Sequence, residues 1–205
     1  SAEGVAVSSY NTMDSHSSST INLENVFVSE ANLIVGEGEG FRHIESCLPQ
    51  ILLCLSAEAL GIMEVLNKLT VEYSKTRKQF GAPIGSFQAL QHRMVDNFMA
   101  FEQSKSMVYR GICESTSFNK NDIDINQFLK TAHAVKALIA KNSKQIGDES
   151  IQIHGGIGMT DELNIGHFVK RLMMINVLFG DGDFHRQCFS PVSYTHLTLP
   201  TKCWV

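Results

Sequence analysis

A glycine-rich segment at residues 152–160 has the residue types best suited to holding a ligand. It reads Gln-Ile-His-Gly-Gly-Ile-Gly-Met-Thr, and three glycines fall within positions 155–158. Glycine lets the backbone approach another molecule closely or adopt positive φ angles. The apolar periodicity is helical on both sides, so these glycines interrupt an otherwise regular pattern. The segment therefore predicts exposed backbone beside a bound ligand, with Gln152 available for hydrogen bonds.

Two upstream segments contain residues that could complete such a site. Residues 77–84 read Arg-Lys-Gln-Phe-Gly-Ala-Pro-Ile and follow the first long helical stretch, which the glycine and proline are expected to end. Arg77 then lies near a helix C-terminus, and its planar cation suits a phosphate, which arginine binds through paired hydrogen bonds. Residues 87–91, Phe-Gln-Ala-Leu-Gln, begin the second helical stretch.

Each of these residues also has an ordinary structural explanation when it is considered alone. Arg77 fits a helix C-terminal cap, Gln88 a solvated helix position, and His154 a packing histidine. The Gly-Gly-x-Gly run follows a helix rather than a strand, which argues against a dinucleotide-binding fingerprint. The sequence has no metal-ligand cluster, nucleophile elbow or phosphate-binding loop. The prediction of a ligand site therefore rests on the combination of segments.

Composition excludes several function classes. The chain has 205 residues and a formal net charge of −4, which gives no electrostatic reason to expect nucleic acid or an anionic membrane as partner. We find no apolar run of membrane-spanning length and expect no membrane insertion. The five cysteines form no CxxC pair and are interpreted as core thiols in a reducing compartment.

Helical periodicity dominates from Phe41 onward. Three apolar stripes recur at intervals of three, four or seven residues, and a polar loop at 115–122 is predicted to separate the second helix from the third. A fourth helix is predicted to begin near Thr160 as N-cap, followed by two acids. Long helices with short connections predict a mainly α fold, an up-down four-helix bundle. The stripes are Ile44, Leu48, Ile51, Leu55, Ile62, Leu66, Leu69 and Tyr73; Leu90, Met94, Phe98, Phe101, Val108 and Ile112; and Phe128, Ala132, Val135, Ile139, Ile146 and Ile153.

The two ends differ from this helical body. Residues 1–36 include a β-rich stretch containing Ile21, Leu23, Val26 and Val28, and are expected to be the last strands of a truncated β-domain whose remainder lies upstream. Residues 37–189 are assigned to the helical bundle. Residues 190–205 resemble translated adapter sequence, with a disordered tail as the alternative, and are excluded from the fold prediction.

The three segments in this order, on a helical body after a β stretch, resemble the C-terminal half of the acyl-CoA dehydrogenase family over about residues 4–188. The resemblance implies FAD as cofactor, bound between domains and across a subunit interface. It implies that this chain contacts the adenosine diphosphate part of a neighbouring subunit's FAD. The residues assigned to that site are Arg77, Gln79, Phe80, Gln88, Gln152, Gly155 and Gly156.

The same resemblance raises a question about the catalytic base. Family members remove a substrate α-proton with a carboxylate, and the usual base is a glutamate after the fourth helix; aligning the glycine-rich segment puts Phe179 at that place. A minority place the base in the first long helix, where this chain has Ile51. Asp181 and Asp183 are the remaining candidates, through a shifted loop. A solvated Gly-Asp turn is the structural alternative for them.

Residues 179–185, Phe-Gly-Asp-Gly-Asp-Phe-His, also resemble the small subunit of pimeloyl-CoA dehydrogenase, a two-subunit family member. The subunit could therefore be catalytically silent and bind FAD at an interface with an active partner. The family resemblance implies oxidation of an acyl-CoA to the 2-enoyl-CoA, with electrons passed to an electron-transfer flavoprotein. An acyl-CoA oxidase is a further alternative. We expect a homo- or hetero-oligomer, an inactive isolated fragment, and a bacterial cytoplasmic location rather than a mitochondrial matrix.

Overall fold

The computed structural model of the chain describes residues 3–190, and its main feature is a bundle of long helices. Within that range the α-helices are α1 (Gly40–Thr76), α2 (Gln88–Asn119), α3 (Ile125–His154), α4 (Ile165–Val177) and the short α5 (Gly182–Phe189). The strands are β1 (Val5–Asn11), β2 (Ser17–Leu23), β3 (Lys78–Gln79) and β4 (Ala82–Pro83). The predicted mainly helical fold, four principal helices preceded by antiparallel strands, is confirmed. The predicted tail at 190–205 lies, after residue 190, outside the described residues.

Helix α3 is the centre of the bundle, because it packs against α1, α2, α4 and α5. Every residue of its predicted apolar stripe is buried, from Phe128 to Ile153. Each of the other main helices adds its own apolar face to this core. Burial of that stripe is the hydrophobic contribution that fixes the rotation of α3 in the bundle. The largest core side chains from the other helices include Leu52, Met63, Leu66, Val108, Ile165, Leu172 and Ile175.

The N-terminal strands form a single hairpin. Strands β1 and β2 pair antiparallel from Val5 with Leu23 to Asn11 with Ser17. Ile21 and Leu23 lie on β2 as predicted, and both are exposed. Val26 and Val28 follow the strand rather than extend it, so the predicted β stretch ends earlier than the pattern indicated.

Two predicted helix boundaries are wrong. Thr160 is not the N-cap of α4: it ends a 3₁₀ turn, and its hydroxyl donates to the carbonyl of Ile157 at 2.9 Å. Helix α4 begins five residues later, at Ile165. Helix α2 continues through most of the polar segment 115–122, and Asp124 caps α3 by accepting from the Gln127 amide at 2.8 Å. Hydroxyl and carboxylate side chains serve as caps in several turn types, so residue type alone does not place a helix start.

Helix α1 corrects the prediction about apolar length. It has the length and mean hydropathy, 1.5 over its most apolar window, of a membrane-spanning helix. In the bundle the same helix packs against α2, α3 and α4, and its buried residues include Leu52, Met63 and Leu66. Long core helices share this length and composition, and about a third of the most apolar window of α1 is buried in the bundle.

The prediction that the cysteines are core thiols is also wrong for the described part of the chain. Cys47, Cys54, Cys113 and Cys188 are free and exposed. Cys47 and Cys54 lie on the side of α1 that the rest of the bundle leaves uncovered. Cys203 lies outside the described residues.

Candidate functional site

The turn after α1 is built by two residues with positive φ. Arg77 ends α1, with its amide bonded to the Tyr73 carbonyl at 2.9 Å. Strands β3 and β4 then form a minimal hairpin whose turn residues, Phe80 and Gly81, have φ angles of 54° and 81°. Adjacent residues with positive φ are what a tight two-residue hairpin requires. The chain therefore reverses at once, and Phe80 lies at the tip of the turn.

The end of α3 places the glycine-rich segment opposite this hairpin. His154 is the last residue of the helix, and Gly155 follows with φ and ψ angles of 66° and −145°, a combination open essentially to glycine alone. Residues Gly155–Met159 then form a 3₁₀ turn. The predicted positive φ is therefore found at the first of the three glycines and not at the other two.

Tyr73 and His154 hold the two segments together. Their rings stack with centroids 4.4 Å apart and planes 27° apart. The Tyr73 hydroxyl donates to the His154 carbonyl at 3.4 Å, across 81 residues of sequence. Gly158 lies close to the base of the histidine side chain, because a Cβ there would be 2.9 Å from the His154 Cβ. These contacts set the distance between Arg77 and the glycine-rich turn.

An open hollow of about 360 Å³ lies between the two segments. Six of the seven residues assigned to the cofactor site from sequence line it together. Gln88 is the exception: it occupies the exposed first position of α2 and does not line the hollow. The six lining residues are Arg77, Gln79, Phe80, Gln152, Gly155 and Gly156.

The hollow is cationic. Arg77 and Arg93 both line it, and no carboxylate does so in the described part of the chain. Arg93 is neutralised by Glu149, with Nε–Oε2 and Nη2–Oε1 distances of 2.6 and 3.0 Å. Arg77 forms no ion pair with any described residue. The guanidinium of Arg77 is therefore available to an anion.

Two more features of the hollow have no structural role among residues 3–190. Phe80 is 94% exposed and meets Phe87 edge to face, with ring centroids 6.2 Å apart. Gly156 has no positive φ, and a Cβ placed there would meet nothing within 4 Å. An exposed aromatic ring and a needlessly bare backbone are what a ligand-contacting surface requires.

Tyr73 and Arg93 belong to the hollow and were missed from sequence. Tyr73 was assigned to the apolar stripe of α1, although it stands one helical turn before Arg77 and so shares its face. Arg93 follows Gln88 by five residues and carried no signal of its own.

The loop between α4 and α5 contains the residues considered as catalytic base. Phe179 has a φ of 60° and is half exposed, and Gly180 follows with a φ of 112°. The Asp181 carboxylate caps α5 by accepting from the Phe184 amide at 2.8 Å. Asp183 pairs with Arg186 at 2.9 Å on the exposed surface. Both aspartates have structural roles, neither lines the hollow, and a catalytic role for either stays a prediction.

A buried polar cluster anchors this loop to α3. The Lys136 ammonium is fully buried and donates to the Ile175 carbonyl at 2.5 Å, near the C-terminus of α4. Burial lowers the pKa of Lys136 to about 8, although the Asp181 carboxylate opposes that shift. Next to it, His133 and His185 are buried and bonded to each other at 2.8 Å. The cluster fixes where the 178–182 loop leaves the bundle.

Comparison with known proteins identifies the domain. Residues 38–190 match the family described as acyl-CoA dehydrogenase, C-terminal domain. The chain is 32% identical over 173 residues to acyl-CoA dehydrogenase IpdE2 of Mycolicibacterium smegmatis, covering 83% of this chain and 50% of that protein. It is 29% identical over 174 residues to the mitochondrial 2-methylacyl-CoA dehydrogenase of Solanum tuberosum, covering 85% of this chain and 40% of that protein.

A solved structure agrees with this relationship. The structure described as PigA with FAD and proline superposes with a TM-score of 0.81 at 26% identity, covering 93% of this chain and 49% of that one. The chain thus spans half or less of the curated relatives that it matches here. Since the family match covers most of the sequence, this chain belongs to the acyl-CoA dehydrogenase family and contains its C-terminal domain.

Proposed function

We propose that the hollow between residues 77–80 and 152–156 binds the adenosine diphosphate part of FAD, and that the whole protein oxidises an acyl-CoA to its 2-enoyl-CoA. The observation that carries the first part is that Arg77 and the bare backbone of Gly156 line one hollow, in which residues 3–190 place no carboxylate and no ion-pair partner for Arg77. A pyrophosphate supplies the anion that Arg77 lacks, and close approach to Gly156 explains its missing side chain.

The remaining groups of the hollow fit the same ligand. Gln79 and Gln152 have amides that both donate and accept, as a purine and a sugar require. Phe80 offers an exposed ring to an aromatic base. The structurally similar PigA is described as containing FAD, which supports the choice of this cofactor. Gln88 remains a proposed contact that would require the ligand to extend past the hollow.

We place the FAD in a neighbouring subunit because this surface is open and lies on the outside of the bundle. The resulting assembly is a homo- or hetero-oligomer. Bound FAD would accept a hydride from the β-carbon of the substrate. The residues of this chain would hold its adenosine end and stabilise the subunit contact. We further propose an electron-transfer flavoprotein as acceptor and a bacterial cytoplasmic location.

A second candidate function, a catalytically silent FAD-interface subunit, is favoured by the α4–α5 loop. Phe179 stands where the family resemblance puts the base, and both nearby aspartates are engaged in capping or pairing. Asp181→Asn separates the candidates without loss of the helix cap, because asparagine caps as well as aspartate. If Asp181 is the base, this variant abolishes substrate-induced bleaching of the flavin, and Asp183→Asn does not. The comparisons do not support the pimeloyl-CoA dehydrogenase small subunit in particular.

Retention of FAD tests the cofactor site directly. In the protein expressed from its complete coding sequence, Arg77→Ala should weaken FAD affinity by about 10- to 100-fold, the effect of losing charge-assisted hydrogen bonds. Lys78→Ala is the matched control, since Lys78 is the neighbouring exposed cation and does not line the hollow. Equal FAD affinities for the wild type and Arg77→Ala would remove Arg77 from the site. A protein that binds no FAD would overturn the proposed function.

A further inference from the structure

His154 also lines the hollow, and the contacts with FAD proposed above give its ring no role. His154 is buried and stacks on the Tyr73 ring. This stacking and the contact of Nδ1 with the Ser150 carbonyl hold the ring in one orientation. A histidine held this firmly presents a nitrogen atom in a defined direction.

The tautomer of the ring follows from one contact. The Nδ1 atom of His154 lies 2.7 Å from the carbonyl oxygen of Ser150. A carbonyl oxygen only accepts hydrogen bonds, so Nδ1 must carry a proton. In the neutral ring, Nε2 therefore has a lone pair and no proton.

This second nitrogen is free to take a ligand. Nε2 has no hydrogen-bond partner in residues 3–190, and it is not among the fully enclosed atoms of that range. It therefore offers an acceptor on the wall of a hollow in which Arg77 can only donate. The phosphates of adenosine diphosphate are acceptors and suit Arg77. The adenosine has donors, namely the ribose hydroxyls and the adenine amino group, and these suit Nε2.

We infer that Nε2 of His154 accepts a hydrogen bond from the adenosine of the bound FAD, through a ribose hydroxyl or the adenine amino group. The inference rests on the proposed function and adds to it a residue that selects the nucleoside. Arg77 then recognises the charge of the ligand, and His154 its adenosine. Tyr73 is a positioning residue, because its ring and its hydroxyl contact His154 and hold the His154 ring in place.

The test measures the affinity of the flavin-free protein for adenosine diphosphate by calorimetry. His154→Phe keeps a ring against Tyr73 and removes Nε2, and it should weaken binding by about 5-fold or more, the effect of one lost hydrogen bond. His154→Gln returns an acceptor at similar reach and should bind within about 2-fold of the wild type. Lys78→Ala, at an exposed residue that does not line the hollow, is the control and should bind within about 2-fold of the wild type. Melting temperatures of all three variants report whether folding has changed.

Analogues identify the donor. The wild type should bind 2′-deoxy- or 3′-deoxyadenosine diphosphate more weakly if a hydroxyl is the partner, and inosine diphosphate more weakly if the amino group is. For that analogue His154→Phe should cause no further loss, because the hydrogen bond is already absent. Wild-type affinity in His154→Phe, or equal losses in His154→Phe and His154→Gln, would overturn the inference. Failure of the wild type to bind adenosine diphosphate or FAD at all would instead overturn the proposed function.

Discussion

His133 and His185 share a hydrogen bond of 2.8 Å between their Nδ1 atoms, although both rings are buried between α3 and α5. One ring must donate and the other accept, so the pair is satisfied only while at least one ring is neutral. Burial lowers the pKa of both histidines. The pKa of His185 falls to about 4, because the positive charges of His133 and Lys136 lower it further. Asp181, the nearby carboxylate, opposes the shift without cancelling it.

This pair predicts that the fold loses stability in mild acid. His185 has an ordinary pKa near 6.5 when unfolded, so between pH 6.5 and pH 4 the unfolded chain binds more protons. The contribution of His185 to the free energy of unfolding is therefore fully present above pH 6.5 and is lost as the pH falls towards 4. The free energy of unfolding should be about 1–2 kcal/mol lower at pH 5 than at pH 7 from this group. Urea denaturation at a series of pH values measures it.

The matched variants are His185→Leu and His92→Gln. His185→Leu removes the titrating ring and should flatten the dependence between pH 7 and pH 5. His92 is an exposed residue of α2, and its substitution should leave the dependence unchanged. Identical pH slopes for the wild type and His185→Leu would mean that the buried pair is not the source.

The part of the fold that sequence predicts well is the part governed by periodicity. On α3 the stripe from Phe128 to Ile153 is buried throughout, because this helix packs against α1, α2, α4 and α5. On α2 the same kind of stripe includes Phe98 and Ile112, which are exposed. Periodicity shows which face of a helix is apolar, and it does not show what covers that face.

The candidate site follows the same division. Glycine and proline punctuation placed Arg77 and Gly155 at helix ends, and the structure brings those two ends to one hollow. The contact that joins them, between Tyr73 and His154, links positions 81 residues apart and has no local pattern. The structural roles of Asp181 and Asp183 were visible only as a general preference of such residues for turns and caps.

Phe179 gives a prediction for catalysis. The Phe179→Glu variant puts a carboxylate where the family resemblance expects the base, on a residue that is already half exposed and already has a φ of 60°. Neither residue type is β-branched, so the backbone strain changes little. If the wild-type subunit is silent, this variant of the FAD-loaded whole protein should gain substrate-induced bleaching of the flavin when acyl-CoA thioesters are added.

Phe179→Gln is the control, since it has the size of the glutamate and no basic carboxylate. If the wild type already shows substrate-induced bleaching and Phe179→Glu lowers it, the subunit is not catalytically silent. In that case the result with Asp181→Asn decides whether Asp181 is the base.

Arg171 gives a prediction for the N-terminal hairpin. Its guanidinium donates to Glu58 of α1 at 2.6 and 2.8 Å and to Asp14 of the β1–β2 turn at 2.7 Å. Hydrogen bonds from the Thr12 hydroxyl and from Arg171 hold the pKa of Asp14 well below its usual range. Arg171→Gln should loosen the hairpin from the bundle, and amide hydrogen exchange of residues 5–23 should become faster while the core of α3 keeps its protection.

Arg186→Gln, which breaks only the exposed pair with Asp183, is the control and should change neither region. Unchanged exchange in Arg171→Gln would show that other contacts hold the hairpin.

Two helical glycines give opposite predictions for the same substitution. At Gly111 of α2 a Cβ would overlap a methyl group of the buried Leu53 of α1 and lie 3.3 Å from Val135, so a side chain here would displace Leu53 within the core. Gly111→Ala should therefore destabilise the fold by about 1–3 kcal/mol, the usual cost of overpacking a core. At Gly61 of α1 a Cβ would meet nothing within 4 Å, and Gly61→Ala should stabilise the fold by about 0.5–1 kcal/mol through helix propensity. Urea denaturation of both variants at one pH checks the pair. Equal effects at the two positions would mean that α1 and α2 are not packed as closely as the Gly111–Leu53 contact requires.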